Sequence, residues 1–186
     1  MYLISIYFDE KTNYKIEQLI RKVAEKSGNT FMLDGKVPPH ITISAFETKR
    51  EKEVIAKLEA YVNSAGQGDL HWVSIGTFLP HVIYAAPVLN QYLHTMAEDI
   101  FNSLNEIEDT VISKYYRPFQ WIPHTTIAKT LDKDEMKAAF EVMQEQFSIF
   151  HGTVTKIGLA KTNPYEELVS FTLKENGYIN TTKKEK

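Results

Sequence analysis

The sequence predicts an α+β fold in two lobes, a duplicated unit with pseudo-twofold symmetry. Two antiparallel sheets line a central cleft, and helices cover the outside. Three observations predict it. Apolar residues switch along the chain between a spacing of two and a helical spacing. The order helix, strand, helix, strand, strand occurs twice. A Pro-His-x-Thr-Ile segment stands at the centre of each copy, at His40 and at His124.

The elements follow in order. Residues 2–8 (YLISIYF) are apolar and β-branched, a first strand. Ile16, Leu19, Ile20, Val23 and Ala24 make one face of a helix over 12–27, with Gly28 as its C-terminal cap. Residues 39–46 (PHITISAF) are a strand. Thr48 and Glu51 have capping-box spacing, opening a helix that buries Val54, Ile55, Leu58, Tyr61 and Val62. A strand pair, 70–78 and 82–86, turns at Leu79-Pro80-His81. A helix over about 88–105 carries Leu89, Leu93, Met96, Ala97, Ile100, Phe101 and Leu104 on one face. After the loop with Tyr115, Tyr116, Arg117 and Pro118, residues 121–128 (WIPHTTIA) form a strand. Asp132 and Glu135 open a helix that buries Met136, Ala139, Phe140, Met143 and Phe147. Strands at about 151–161 and 167–173 close a single bilobal domain over 1–175. The polar tail, 176–186, is expected to be disordered.

Composition narrows the function. The chain of 186 residues is 43% apolar and 24% charged, with a net charge of −3, which is globular and not built for long duplex nucleic acid. It has no cysteine, which removes disulfides, thiolate metal sites and cysteine nucleophiles. The apolar N-terminal run is too short for a membrane span and lacks the basic flank of a signal peptide. A cytoplasmic monomer, with no membrane partner, is expected.

In a strand, residues two apart share a face. His40 and Thr42 therefore project together, as do His124 and Thr126, while Ile41, Ile43, Thr125 and Ile127 point the other way. A lone His-x-Thr says little; two copies at matched places in a repeat say more. Imidazole titrates at about 6.5, so one copy serves as general base and the other as general acid. Threonine hydroxyls donate to phosphoryl oxygens. The set suits in-line displacement at phosphorus with neither metal nor cofactor.

The paired segments PPHITIS and IPHTTIAK, with Trp121 ahead of the second, resemble the two-histidine phosphoesterases, and within them the bacterial 2′-5′ RNA ligase-like (LigT-type) proteins. The resemblance runs from the first strand to about Leu173. It implies a bilobal fold with both motifs in one cleft, and a metal-independent phosphodiesterase that opens cyclic phosphates of nucleotides or RNA ends. Some members are named for a reversible joining of RNA through 2′-5′ bonds. His40 and His124 would be the acid–base pair, and Thr42 and Thr126 the phosphate ligands. Many relatives carry arginine three residues after the second threonine, where this chain has Lys129. Lysine still pairs with phosphate, as a point charge, or it is a solvated strand end.

Other substrate contacts are candidates. Phe46 shares parity with His40 and Thr42, and either stacks on a base in the cleft or covers the end of the sheet. Tyr115, Tyr116 and Arg117 lie in the loop leading to the second motif, where substrate contacts concentrate. His71, His81, His94 and His151 have no partner pattern and are read as surface or structural. No HExxH, P-loop, GxSxG or GxGxxG segment occurs. A non-catalytic module that binds a nucleotide or an RNA end in the same cleft is the alternative.

Overall fold

The computed structural model describes residues 1–162 and 164–175; the polar tail expected from residue 176 lies outside them. Among them, eight strands form one antiparallel sheet: β1 (Tyr2–Phe8), β2 (His40–Glu47), β3 (Gly68–Phe78), β4 (Val82–Pro87), β5 (Val111–Ile112), β6 (Thr125–Ala128), β7 (Phe150–Lys161) and β8 (Glu166–Thr172). The order is β5-β2-β1-β7-β3-β4-β6, with β8 also on β7. The two sheets expected from the sequence are thus halves of one. They are joined because β7 is 12 residues long. Its first half pairs with β3 and its second with β8, while β1 runs along its other edge.

Among the described residues, four helices of more than one turn flank the sheet: α1 (Glu10–Ser27), α3 (Glu51–Val62), α4 (Gln91–Asn105) and α5 (Lys133–Gln146); α2 (Phe31–Asp34) is a single turn. α1 and α5 pack on each other and against β6, β7 and β4, whereas α3 and α4 cover β8, β2 and β5. α1 starts where the Asp9 carboxylate accepts the Thr12 N–H at 2.8 Å, and it stops at Gly28, whose φ of 77° suits glycine. Its predicted face, Ile16, Leu19, Ile20, Val23 and Ala24, is buried. Each Ile, Leu and Val side chain of that face contributes about 1.5–3 kcal/mol.

Several expectations are corrected. α3 starts at Glu51 rather than Thr48; the Thr48 hydroxyl accepts the Arg50 N–H and caps nothing further along. Of the predicted α3 stripe, Val54 and Leu58 are fully buried. α4 begins after Asn90, whose side chain accepts the Leu93 N–H. The α5 capping box at Asp132 and Glu135 forms, but Phe140 is exposed and Val142 takes its place in the core. Residues 121–124 are not strand; β6 starts only at Thr125.

The sheet curls until β2 and β6, far apart in hydrogen-bond order, come into contact. The Trp121 indole N–H donates to the Thr42 carbonyl at 3.2 Å, fastening the second motif's approach to the first motif's strand. Behind β6, the Trp72 indole donates to Thr125 Oγ1 at 3.1 Å in the core. Both His-x-Thr segments therefore stand against a fixed wall.

Candidate active site

Each histidine is set by its own backbone. His40 Nδ1 lies 2.8 Å from the Pro38 carbonyl, and His124 Nδ1 lies 2.9 Å from the Ile122 carbonyl. Both accepting residues precede a proline, Pro39 or Pro123, which holds them extended. A carbonyl can only accept, so each Nδ1 carries the hydrogen. The reactive nitrogen of each ring is then Nε2, and among the described residues neither Nε2 has a hydrogen-bond partner. The proline and the histidine of the repeated motif are two parts of one device.

A second device follows each threonine. Ser5 pairs with Thr42 and Ile4 with Ser44, leaving Ile43 as an extra residue in β2. Tyr84 pairs with Thr126 and Ile83 with Ala128, leaving Ile127 extra in β6. Both motifs thus carry a β-bulge at the isoleucine. A bulge reverses which face later residues take. Phe46 pairs with Tyr2 on the core side, 1% exposed, its ring stacked on Tyr2 at 5.7 Å. It does not line the cleft as a shared parity with His40 and Thr42 would place it, and takes the other role open to it, packing into the core at the end of the sheet. The same reversal carries Lys129 back to the Thr126 side.

His40, Thr126 and Lys129 line one pocket of about 90 Å³ together with Phe31, Met32 and Val37. The Lys129 ammonium stands 4.8 Å over the Phe31 ring. Residues from the two motifs therefore meet here. His124 borders a larger cavity of about 410 Å³ whose walls include Phe78, Tyr115, Tyr116, Trp121 and Ile122. Thr42 is buried, its hydroxyl 3.5 Å from that of Ser5. Arg117 is exposed and lines neither cavity.

Burial holds both imidazoles below their ordinary pKa, because the charged form loses solvation. The Pro38 and Ile122 carbonyls oppose this in part. The charges of His124 and Lys129 lower His40 further. The two rings feel each other, so their titrations belong to the pair.

Sequence reasoning missed the aromatic walls. Tyr7 lies beside His40 with ring centroids 6.2 Å apart, and its phenol meets that of Tyr165 at 3.2 Å. Phe78 and Tyr84 press on His124 at 4.8 and 5.3 Å. The pairings Tyr7–His40 and Tyr84–Thr126 put these rings there, and only strand register would have found them. The remaining histidines serve elsewhere: His71 stacks on His151 at 3.9 Å, His81 Nδ1 bonds the Leu131 carbonyl, and His94 meets Phe119 and Glu98. Among the described residues, no three His, Asp or Glu side chains gather as a metal site, and no helix is long and apolar enough to cross a membrane.

The sequence model of the 2′-5′ RNA ligase superfamily matches residues 14–166. Comparison with curated proteins finds no match. Among solved structures, TT0787 of Thermus thermophilus is similar with a TM-score of 0.64 at 14% identity, over 94% of this chain and 98% of that one. E. coli LigT complexed with 3′-AMP is similar with a TM-score of 0.58 at 15% identity, over 92% and 97%. A protein described as a phosphoesterase gives 0.59 at 18% identity, over 93% and 98%.

Proposed function

The chain belongs to the 2′-5′ RNA ligase superfamily, and on that footing we propose that it is a metal-independent phosphodiesterase that opens the cyclic phosphate of a 2′,3′-cyclic nucleotide or RNA end. The observation that carries this reading is the matched pair of imidazoles, each tied through Nδ1 to a pre-proline carbonyl and each with its Nε2 unpartnered among the described residues. Two such groups supply what hydrolysis at phosphorus needs. One Nε2 takes a proton from water as its oxygen attacks phosphorus, and the other gives a proton to the ribose oxygen as its bond to phosphorus breaks. Thr126 and Lys129, in the pocket with His40, hold the phosphoryl oxygens, and Thr42 assists from the other strand. Lysine serves there as a point charge. Similarity to LigT complexed with 3′-AMP supports a nucleotide as ligand. With an RNA 5′-hydroxyl in place of water as the attacking group, the same transfers open the cyclic phosphate into a 2′-5′ bond, and their reverse cleaves it.

The test is hydrolysis of a 2′,3′-cyclic nucleotide. His40→Ala and His124→Ala are expected to stay folded by circular dichroism and to lose about 10²–10⁴-fold in kcat. Turnover at the wild-type rate in either variant overturns the acid–base pair. Tight calorimetric binding of a nucleotide monophosphate with no turnover of the cyclic form by the wild type would leave a binding module instead.

A further inference from the structure

A second pair of histidines meets away from the two motifs. His71 of β3 stands directly opposite His151 of β7 in the ladder. Their rings stack with centroids 3.9 Å apart and 11° between planes. Their strand neighbours Leu70, Trp72 and Phe150 are buried, so both imidazoles project from the other face of the sheet. His151 is exposed and His71 half-buried. The backbone explains how close they come. A strand residue directs its N–H and its carbonyl to the same side. The His71 carbonyl accepts the Val88 N–H at 2.9 Å, just past β4, so it turns away from His151. The two are therefore a non-hydrogen-bonded pair, the kind whose Cα atoms lie about 4.5 Å apart and whose side chains are closest.

We propose that His71 and His151 form a binding site for one divalent cation of the zinc class, which clips β3 to β7. The site is separate from the phosphodiesterase reading and does not rest on it. A zinc–imidazole bond is about 2.0–2.1 Å long, so two nitrogens on one ion stand about 3 Å apart. Rings already 3.9 Å apart reach that spacing with little backbone movement. Parallel rings cannot both aim a lone pair at one ion. Each must turn about its outer side-chain torsion, which is broad for histidine and is left free by exposure. Imidazole donors select zinc, copper or nickel, whereas magnesium and calcium take oxygen.

The surroundings suit a cation. Asp69 and Thr153 face each other one step along the same face, and the Thr153 hydroxyl donates to Asp69 Oδ1 at 2.9 Å. The Asp69 carboxylate thus adds negative potential beside the pair. Among the described residues no third His, Asp or Glu joins it, so water completes the coordination. The position in the fold gives the clip a consequence. The β3–β7 ladder is where β3, β4 and β6 join β1, β2 and β5, so the ion would span the seam between the two halves. Half of the four ligands of a structural zinc site correspond to a Kd on the order of 10 µM. At about 1 mM metal, mass action then raises the Tm of a chain this size by about 5 °C.

Thermal unfolding and calorimetry with ZnCl2 test the clip. Wild type is expected to show that shift and that Kd, with no shift in MgCl2 at the same concentration. His71→Phe and His151→Phe keep an aromatic ring in the stack and lose the nitrogen. Each is expected to lose most of the zinc shift and about tenfold in affinity, with its metal-free Tm within about 2 °C of wild type. The double variant His40→Ala/His124→Ala removes the other pair of free imidazole nitrogens and is expected to keep the full shift. Should a phenylalanine variant fail to fold, copper decides. One equivalent of CuCl2 in the double variant is expected to give an electron paramagnetic resonance spectrum split by two imidazole nitrogens. A zinc shift that survives in both phenylalanine variants, a shift lost from the double variant, or copper coupled to fewer than two nitrogens overturns the site.

Discussion

At the scale of residues, the pre-proline carbonyls decide which nitrogen of each imidazole does chemistry, and burial decides when it holds a proton. Because the pKa of each imidazole is lowered, chiefly by lost solvation, the singly protonated pair is depleted once pH rises above about 6.5. For the free enzyme, kcat/KM is therefore expected to fall about tenfold per pH unit along an alkaline limb that begins below that value. Bound substrate adds negative charge and moves the limb upward in kcat. A kcat/KM profile flat to pH 8 contradicts the pair. The His-x-Thr repeat was legible in the sequence because proline, histidine and threonine are all printed in the motif. The rings of Tyr7, Phe78 and Tyr84 were not, because a strand residue becomes a neighbour of the site only through its pairing partner.

At the scale of elements, one inserted residue in each motif strand changes which face the residues after it take. The alternation rule assumes an unbroken ladder, and it places Phe46 with His40 and Lys129 away from Thr126. The bulges at Ile43 and Ile127 reverse both. Phe46→Ala is thus expected to cost about 3–5 kcal/mol in urea unfolding, with KM of the remaining folded enzyme unchanged. Lys129→Ala should do the reverse, lowering kcat/KM about tenfold at nearly constant stability, with Lys129→Arg retaining most activity. α1 depends on a different residue. The Asp9 carboxylate accepts N–H groups from Thr12 and Thr153, at 2.8 and 2.9 Å, joining the helix start to β7. Burial pulls its pKa up, but these hydrogen bonds outweigh it and hold the group below the usual carboxylate range. Its contribution is full above the unfolded value of about 3.9 and is lost as pH falls through the folded one. Asp9→Asn should therefore destabilise by about 1–2 kcal/mol at pH 7, and the difference should close towards pH 3 in the same unfolding assay.

At the scale of the whole molecule, the repeat, the element order and most helix faces were legible, since each is written in local periodicity. That the halves share one sheet was not, because the length and branching of β7 emerge only from long-range pairing. The charge at the site comes from Lys129 and the two imidazoles, so turnover in excess EDTA is expected to match that of untreated enzyme; a loss restored by added metal contradicts the mechanism. β7 also has a bearing on biosynthesis. Its partners β1 and β3 leave the ribosome long before it does, and translation adds only about 5–20 residues per second. For several seconds the nascent polypeptide exposes two unfinished β-surfaces, which makes that interval the one in which chaperone engagement or self-association would compete with completion of the catalytic groove.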